Sequence, residues 1–115
     1  MAAPAHNADI LMVDEASVRA LLPWDRALDA SRAAFEALGQ GKDISPTRHL
    51  IPDGDGLTLV MPGKVEERNL SVKVVSTYPG NTAAGLPGCP ALINVVDRAT
   101  GLVKVRPHCG DNSFS

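Results

Sequence analysis

At 115 residues, with 44% apolar and 21% charged residues, the chain has the size and composition of one globular domain. Its 13 acidic against 11 basic residues give a formal charge of -2, which leaves no basic excess for gripping a phosphate backbone and argues against nucleic acid as a partner. No apolar run approaches the roughly 20 residues of a spanning helix, and the start MAAPAHNAD lacks the charged and apolar regions of a signal peptide, so the expectation is a cytoplasmic protein without a membrane partner.

In chain order, residues 1–9 read as a flexible leader, followed by a short strand at Ile10 to Val13. Asp14 has the character of an N-cap, with Glu15 in the first turn of a helix running to Leu22. Pro23 suits the first turn of a second helix, along which Trp24, Ala27, Leu28, Ser31, Phe35 and Leu38 recur at helical spacing and form its apolar face. Asp25, Arg26, Asp29, Arg32 and Glu36 make the solvated face. Gly39 and Gly41 end this helix.

From Ser45 the period becomes strand-like, with strands expected at Thr47 to Ile51, Leu57 to Met61, Leu70 to Thr77, Ala91 to Asp97 and Leu102 to Val105. The last two form a hairpin. Two helices followed by mainly hairpin-connected strands predict an α+β fold with a mainly antiparallel sheet, and with aromatics scarce, a modest core built from Ala, Val, Leu and Ile.

The stretch LSVKVVSTYPGNTAAGLPGCP, from Leu70 to Pro90, carries the most chemistry. Alternation puts Leu70, Val72 and Val74 on one face, and Ser71, Lys73, Val75 and Thr77 on the other. A lysine beside a loop rich in Gly, Pro and Asn suits a small-molecule site; a lysine guarding an edge strand against edge-to-edge pairing needs no further role. Arg48 in PTRHL stands at a strand start, and its guanidinium fork matches a planar carboxylate. His49, one residue on, points to the opposite face, and His6 and His108 fall in loose ends.

Other chemistries fit less well. Asp53-Gly54-Asp55-Gly56 has Lys64 where a calcium loop needs a bidentate Glu, and reads as a tight turn. Gly80 to Gly85 has Walker spacing but is followed by Leu86-Pro87, and no GxGxxG occurs. Cys89 and Cys109 form no CxxC pair and read as free thiols. No His, Cys, Asp or Glu set has metal-ligand spacing.

The ordered set PTRHLIP, LTLVMPG, LSVKVVSTYPGN, GLP and ALINVVDRATG resembles the N-terminal part of the ornithine cyclodeaminase and mu-crystallin family, over about Ile10 to Val105. The resemblance implies the substrate-binding and dimerisation part of an NAD(P)-dependent enzyme that deaminates and cyclises a small amino acid or reduces a cyclic imino acid. By the same resemblance Arg48 and Lys73 are substrate-binding residues for the carboxylate, Lys73 is the candidate catalytic residue, and a homodimer is expected. NAD or NADP belongs to a Rossmann domain that follows this region in the family, so this chain alone is expected to bind neither.

The chain also departs from that pattern. Where members often carry Thr or Ser after the LP of the loop, Gly88 stands here, and after the DRATG turn VRPHCGDNSFS replaces a segment like TALRTAA that carries another carboxylate-binding arginine. The expectation is therefore a partial substrate-binding domain at 10–105 with an atypical, disordered tail at 106–115, as in a fragment or a frame-shifted product. The alternative is a catalytically inactive, truncated binding or dimerisation module of mu-crystallin type.

Overall fold

The computed structural model describes residues 10–109, so the expected leader at 1–9 lies outside the described residues, as does the tail from 110 onward. Two helices precede most of a seven-stranded sheet. Strand β1 (Leu11–Val13) leads into α1 (Glu15–Leu21), whose N-cap Asp14 accepts a 2.8 Å hydrogen bond from the Ser17 amide, as its capping character predicts. α2 (Trp24–Gly39) starts after Pro23 and ends in a turn where Gly41, at φ 70°, and Lys42 donate back to Leu38 and Ala37.

The remaining strands are β2 (Asp43–Ile44), β3 (His49–Asp53), β4 (Gly56–Val65), β5 (Leu70–Thr77), β6 (Ala91–Val96) and β7 (Val103–Cys109). Their order is β1-β7-β6-β5-β4-β2, with β3 also pairing β4. From β3 to β7 the chain is an antiparallel meander, while β1 pairs with β7 in parallel. The Asp53-Gly54-Asp55-Gly56 motif closes the β3–β4 hairpin: Asp53 pairs with Gly56, and Gly54, at φ 60°, takes the positive-φ position of a two-residue turn. Asp97 organises the β6–β7 turn by accepting from the Thr100 amide and hydroxyl.

Three differences from the sequence reading have physical causes. β4 continues through Pro62 to Val65 because β3 ends at His49, opposite Val60, and β2 joins only at Lys64, so Pro62 sits where that side of β4 has no described strand partner. β7 runs to Cys109, past the expected domain end at Val105, and includes His108. Leu11 to Val13 pair with Val105 to Pro107, and Ala91 and Leu92 pair with Cys109 and His108, so this stretch finds ladders on both sides.

The third concerns the core. Among the described residues Ala37 is the one buried hydrophobic side chain, whereas Trp24 is 83% and Phe35 72% exposed. The expected apolar face of α2 therefore meets solvent. Both faces of the sheet are only half-covered, so the modest core expected from composition is not assembled by these elements.

Candidate functional site

β5 is an interior strand, flanked by β4 and β6, which excludes edge protection as the reason for Lys73. Lys73 pairs with Met61 on one side and Ile93 on the other, so all three stand on one face, with Ser71 and Val75 as the next same-face positions along β5. Lys73 is exposed. Among the described residues it has no ion pair; the ion pair found there joins Arg19 to Glu15 on α1 at 2.6 Å.

Arg48 immediately precedes β3, whose first residue His49 pairs with Val60, and is exposed. Met61, the residue after Val60 on β4, faces Lys73 on β5. The β3–β4 ladder ends at His49, so it does not pair Arg48 with Met61, and Arg48 stands one residue outside the sheet on the far side of β4 from Lys73. His49 falls in the other row, with Val60 and Val74, as alternation predicts.

The Gly/Pro loop is ordered by its own hydrogen bonds. Its ends close the sheet, with Ser76 and Tyr78 amides donating to Pro90 and Gly88 carbonyls, each at 3.0 Å. Inside it Asn81 donates through Nδ2 to the Pro87 carbonyl at 2.9 Å, and its own carbonyl accepts from Leu86 at 2.8 Å. Gly85, at φ 76°, supplies the positive-φ turn. At Gly88 the position of an added Cβ would lie 3.4 Å from Thr82 Oγ1, so a hydroxyl stands close to where the sequence lacks one.

A groove of about 680 Å³ lies one step along the same face: Ser71 and Gly63 line it together with Phe35 and Leu38 of α2, Lys64 and Arg68. Neither Arg48 nor Lys73 lines it, so shape alone does not select the pair. Sequence reasoning missed Met61 and Ile93, the neighbours of Lys73, because register across strands is not written in any one segment. Cys89 is exposed and free, with Sγ 3.8 Å from Thr77 Oγ1.

A dinucleotide does not fit the described residues. The antiparallel meander offers no strand, glycine-rich loop and helix in succession to receive a pyrophosphate, and α2 begins at Pro23 without a glycine loop. Among the described residues no group of three or more His, Cys, Asp or Glu could hold a metal, and no helix is long and apolar enough to cross a membrane.

Comparison with known proteins places these features in context. The model of the Ornithine cyclodeaminase/mu-crystallin family matches residues 8–105. Delta(1)-pyrroline-2-carboxylate reductase 2 of Burkholderia ambifaria is 33% identical over 89 residues, which are 76% of this chain and 28% of that protein. The structure of Thermococcus litoralis Delta(1)-pyrroline-2-carboxylate reductase in complex with NADH and L-proline superposes with a TM-score of 0.81 at 32% identity, covering 86% of this chain and 32% of that one. An archaeal alanine dehydrogenase dimer with bound NAD gives a TM-score of 0.81 at 26% identity, covering 86% and 31%. The chain therefore spans about a third of the length of the proteins it matches.

Proposed function

Because this chain belongs to the ornithine cyclodeaminase/mu-crystallin family, we propose that it forms the carboxylate-binding part of an NAD(P)-dependent enzyme acting on a small amino or cyclic imino acid. Arg48 and Lys73 hold the ligand carboxylate between them, Arg48 through its two-pronged fork and Lys73 as a point charge. Two cations around one acid also disfavour protonation of a nearby amine or imine. Lys73 touches the substrate and is in this sense the catalytic residue of the segment. The remaining contacts, and the nicotinamide, belong to the two-thirds of the relatives that this chain does not span. A nicotinamide held by that remaining part would supply or accept the hydride.

The observation that carries this reading is the interior position of Lys73. A charged residue there, between Met61 and Ile93, protects no edge and has no ion pair among the described residues. Reductive cyclic imine chemistry ranks above deaminating cyclisation because the curated relative above is named a pyrroline-2-carboxylate reductase and the Thermococcus structure contains L-proline. A cytoplasmic homodimer completes the proposal: the half-covered sheet leaves apolar surface for a second copy, and the archaeal alanine dehydrogenase structure is a dimer.

Calorimetric titration of the purified chain with L-proline and with the flat ring acid pyrrole-2-carboxylate tests the site. Binding that falls at least tenfold in both Arg48→Ala and Lys73→Ala is the expected result, since a charge-assisted hydrogen bond is worth about 1.5–3 kcal/mol. Unchanged affinity in either variant removes that residue from the site.

A second reading, a binding or dimerisation module without catalysis, is favoured by the lack of fit to a dinucleotide among the described residues. Nicotinamide fluorescence tests the second reading: carboxylate binding without NADH binding is expected of this chain under either reading, whereas NADH binding by the 115-residue chain would overturn the module.

A further inference from the structure

We infer that the groove between α2 and the β4–β5 end of the sheet is a second binding site, which takes a straight-chain amphipathic mono-anion of the medium-chain fatty-acid kind. It is separate from Arg48 and Lys73, neither of which lines it, and does not depend on the reading given to them.

The groove, at about 680 Å³, has the volume of a small-molecule pocket. One wall is α2, where Ala30, Ala34, Phe35 and Leu38 line it, and Phe35 and Leu38 leave most of their apolar surface uncovered. The helix rises about 12 Å from Ala30 to Leu38, so the wall is elongated and suits a chain better than a ring. On the sheet side stand Gly63 and Val65 of β4 and Ser71 of β5. A Cβ at Gly63 would meet nothing within 4 Å, so the space at this strand position is open.

The charged end is the β4–β5 turn. Arg68 and Lys64 line the groove, and neither is in an ion pair among the described residues. Alternation directs Lys64 away from the face of Gly63 and Val65, so Arg68 is the head-group donor and Lys64 adds its charge from the strand end. The turn that carries Arg68 is held in place: the Arg68 amide donates to the Val65 carbonyl at 3.0 Å, and the Asn69 side chain accepts from the Arg98 amide at 3.0 Å. Asp43 is the acid that lines the groove, and it accepts from the Ser45 hydroxyl at 2.7 Å; Glu66 and Glu67 of the turn are not part of the lining.

Two cations against one acid leave a single positive charge to be matched. A carboxylate matches it, whereas a phosphate monoester, which approaches two charges at neutral pH, exceeds it and meets Asp43 with the surplus. A chain laid along α2 removes apolar surface from water on both partners, at Phe35 and Leu38 most of all. A short acid satisfies the charge and leaves that wall bare.

The test is calorimetry on the purified chain with decanoate, acetate and decyl phosphate, each below its micelle-forming concentration. Decanoate is expected to bind at least about tenfold more tightly than acetate, and more tightly than decyl phosphate. Arg68→Ala should weaken decanoate binding by about fivefold or more. Gly63→Ile should abolish it by filling the groove, since Gly63 has no positive φ and a β-branched residue suits a strand. Ala34→Phe asks the same question from the helix side should circular dichroism show Gly63→Ile to be unfolded. Lys73→Ala should leave decanoate binding unchanged, which separates this site from the carboxylate pair. No decanoate binding by the wild type, binding that survives a folded groove-filling variant, loss of binding in a folded Lys73→Ala, or a preference for decyl phosphate each overturns the inference. None of these outcomes bears on whether pyrrole-2-carboxylate binds at Arg48 and Lys73, so the two proposals fail separately.

Discussion

The Tyr78 ring lies over Gly56, at the point where β4 begins and β5 gives way to the Gly/Pro loop. A Cβ at Gly56 would come within 2.6 Å of Tyr78 Cδ2 and Cζ, and Gly56 is buried. The absent side chain thus lets the ring clamp the β3–β4 hairpin against the loop. Gly56→Ala should destabilise the fold by about 1–3 kcal/mol, the usual cost of overpacking. The cost should shrink in a Tyr78→Ala background, giving a coupling above about 0.5 kcal/mol in a double-mutant cycle read by urea unfolding. Additive effects would show that the ring moves aside freely.

Lys73 and Arg48 should respond differently to exchange of their charges. Lys73 is an exposed point charge, so Lys73→Arg keeps a cation over the same face and should retain most carboxylate affinity. Arg48→Lys loses the planar fork and should weaken binding by about tenfold, roughly 1.4 kcal/mol. Lys73→Met should leave the unfolding free energy within about 0.5 kcal/mol, because it removes no described ion pair. Large destabilisation by Lys73→Met would assign the residue to the fold instead.

How far the sequence could be read follows from the range of each interaction. Asp14, the α2 spacing and the Gly54 turn are local, and the helices, the hairpin and the meander were legible from them. The parallel pairing of β1 with β7 joins Leu11 to Val105, and no local pattern announces it. Pro62 and Pro107 hid the ends of β4 and β7, since a proline reads as a strand breaker until its neighbours are known. At the site, alternation separated Arg48 from His49, but the apolar surround of Lys73 depends on the β4 and β6 registers. The α2 stripe read as core because periodicity reports what a helix can bury, not what is present to cover it.

Gly88 should tolerate a side chain. An added Cβ meets Thr82 Oγ1 at 3.4 Å and nothing closer, and Gly88 has no positive φ that would penalise an L residue. Gly88→Ser is therefore expected to fold with a stability change within about 0.5 kcal/mol. It would also bring a second hydroxyl beside that of Thr82, at the loop position where the family resemblance expects Ser or Thr. Titration with pyrrole-2-carboxylate should show equal or tighter binding by Gly88→Ser; weaker binding would mean that the loop hydroxyl obstructs the ligand.

Acid should loosen α1 through its cap. The Ser17 amide and hydroxyl hold the Asp14 carboxyl below its ordinary pKa by bonding to the charged form. A carboxyl with a lowered folded-state pKa contributes stability in full above its unfolded value and loses it as the pH falls through the folded one. α1 should thus fray as the pH drops below about 4, seen as faster hydrogen exchange at the Ser17 and Val18 amides relative to β5. Asp14→Asn keeps an acceptor without the titration, and should flatten this pH dependence. An unaltered profile in that variant would place the acid sensitivity elsewhere.

The ridge of α2 tests whether the chain stands alone in solution. Trp24, Leu28, Phe35 and Leu38 are exposed, so Phe35→Ser should cost under about 1 kcal/mol in an isolated chain, against about 3–5 kcal/mol for removing a buried Phe ring. A second copy seated on the ridge would bury the ring and raise the cost towards the larger figure. It would also make the unfolding temperature rise with protein concentration, because assembly stabilises by mass action. A small cost is the expected result for the ridge, which leaves the half-covered sheet as the proposed dimer surface; any rise of the unfolding temperature with concentration should then be the same in the wild type and in Phe35→Ser. Sedimentation of a sheet-face variant, Val74→Lys, then completes the comparison: Val74 is exposed, so the lysine should be tolerated in the monomer and should weaken only the dimer.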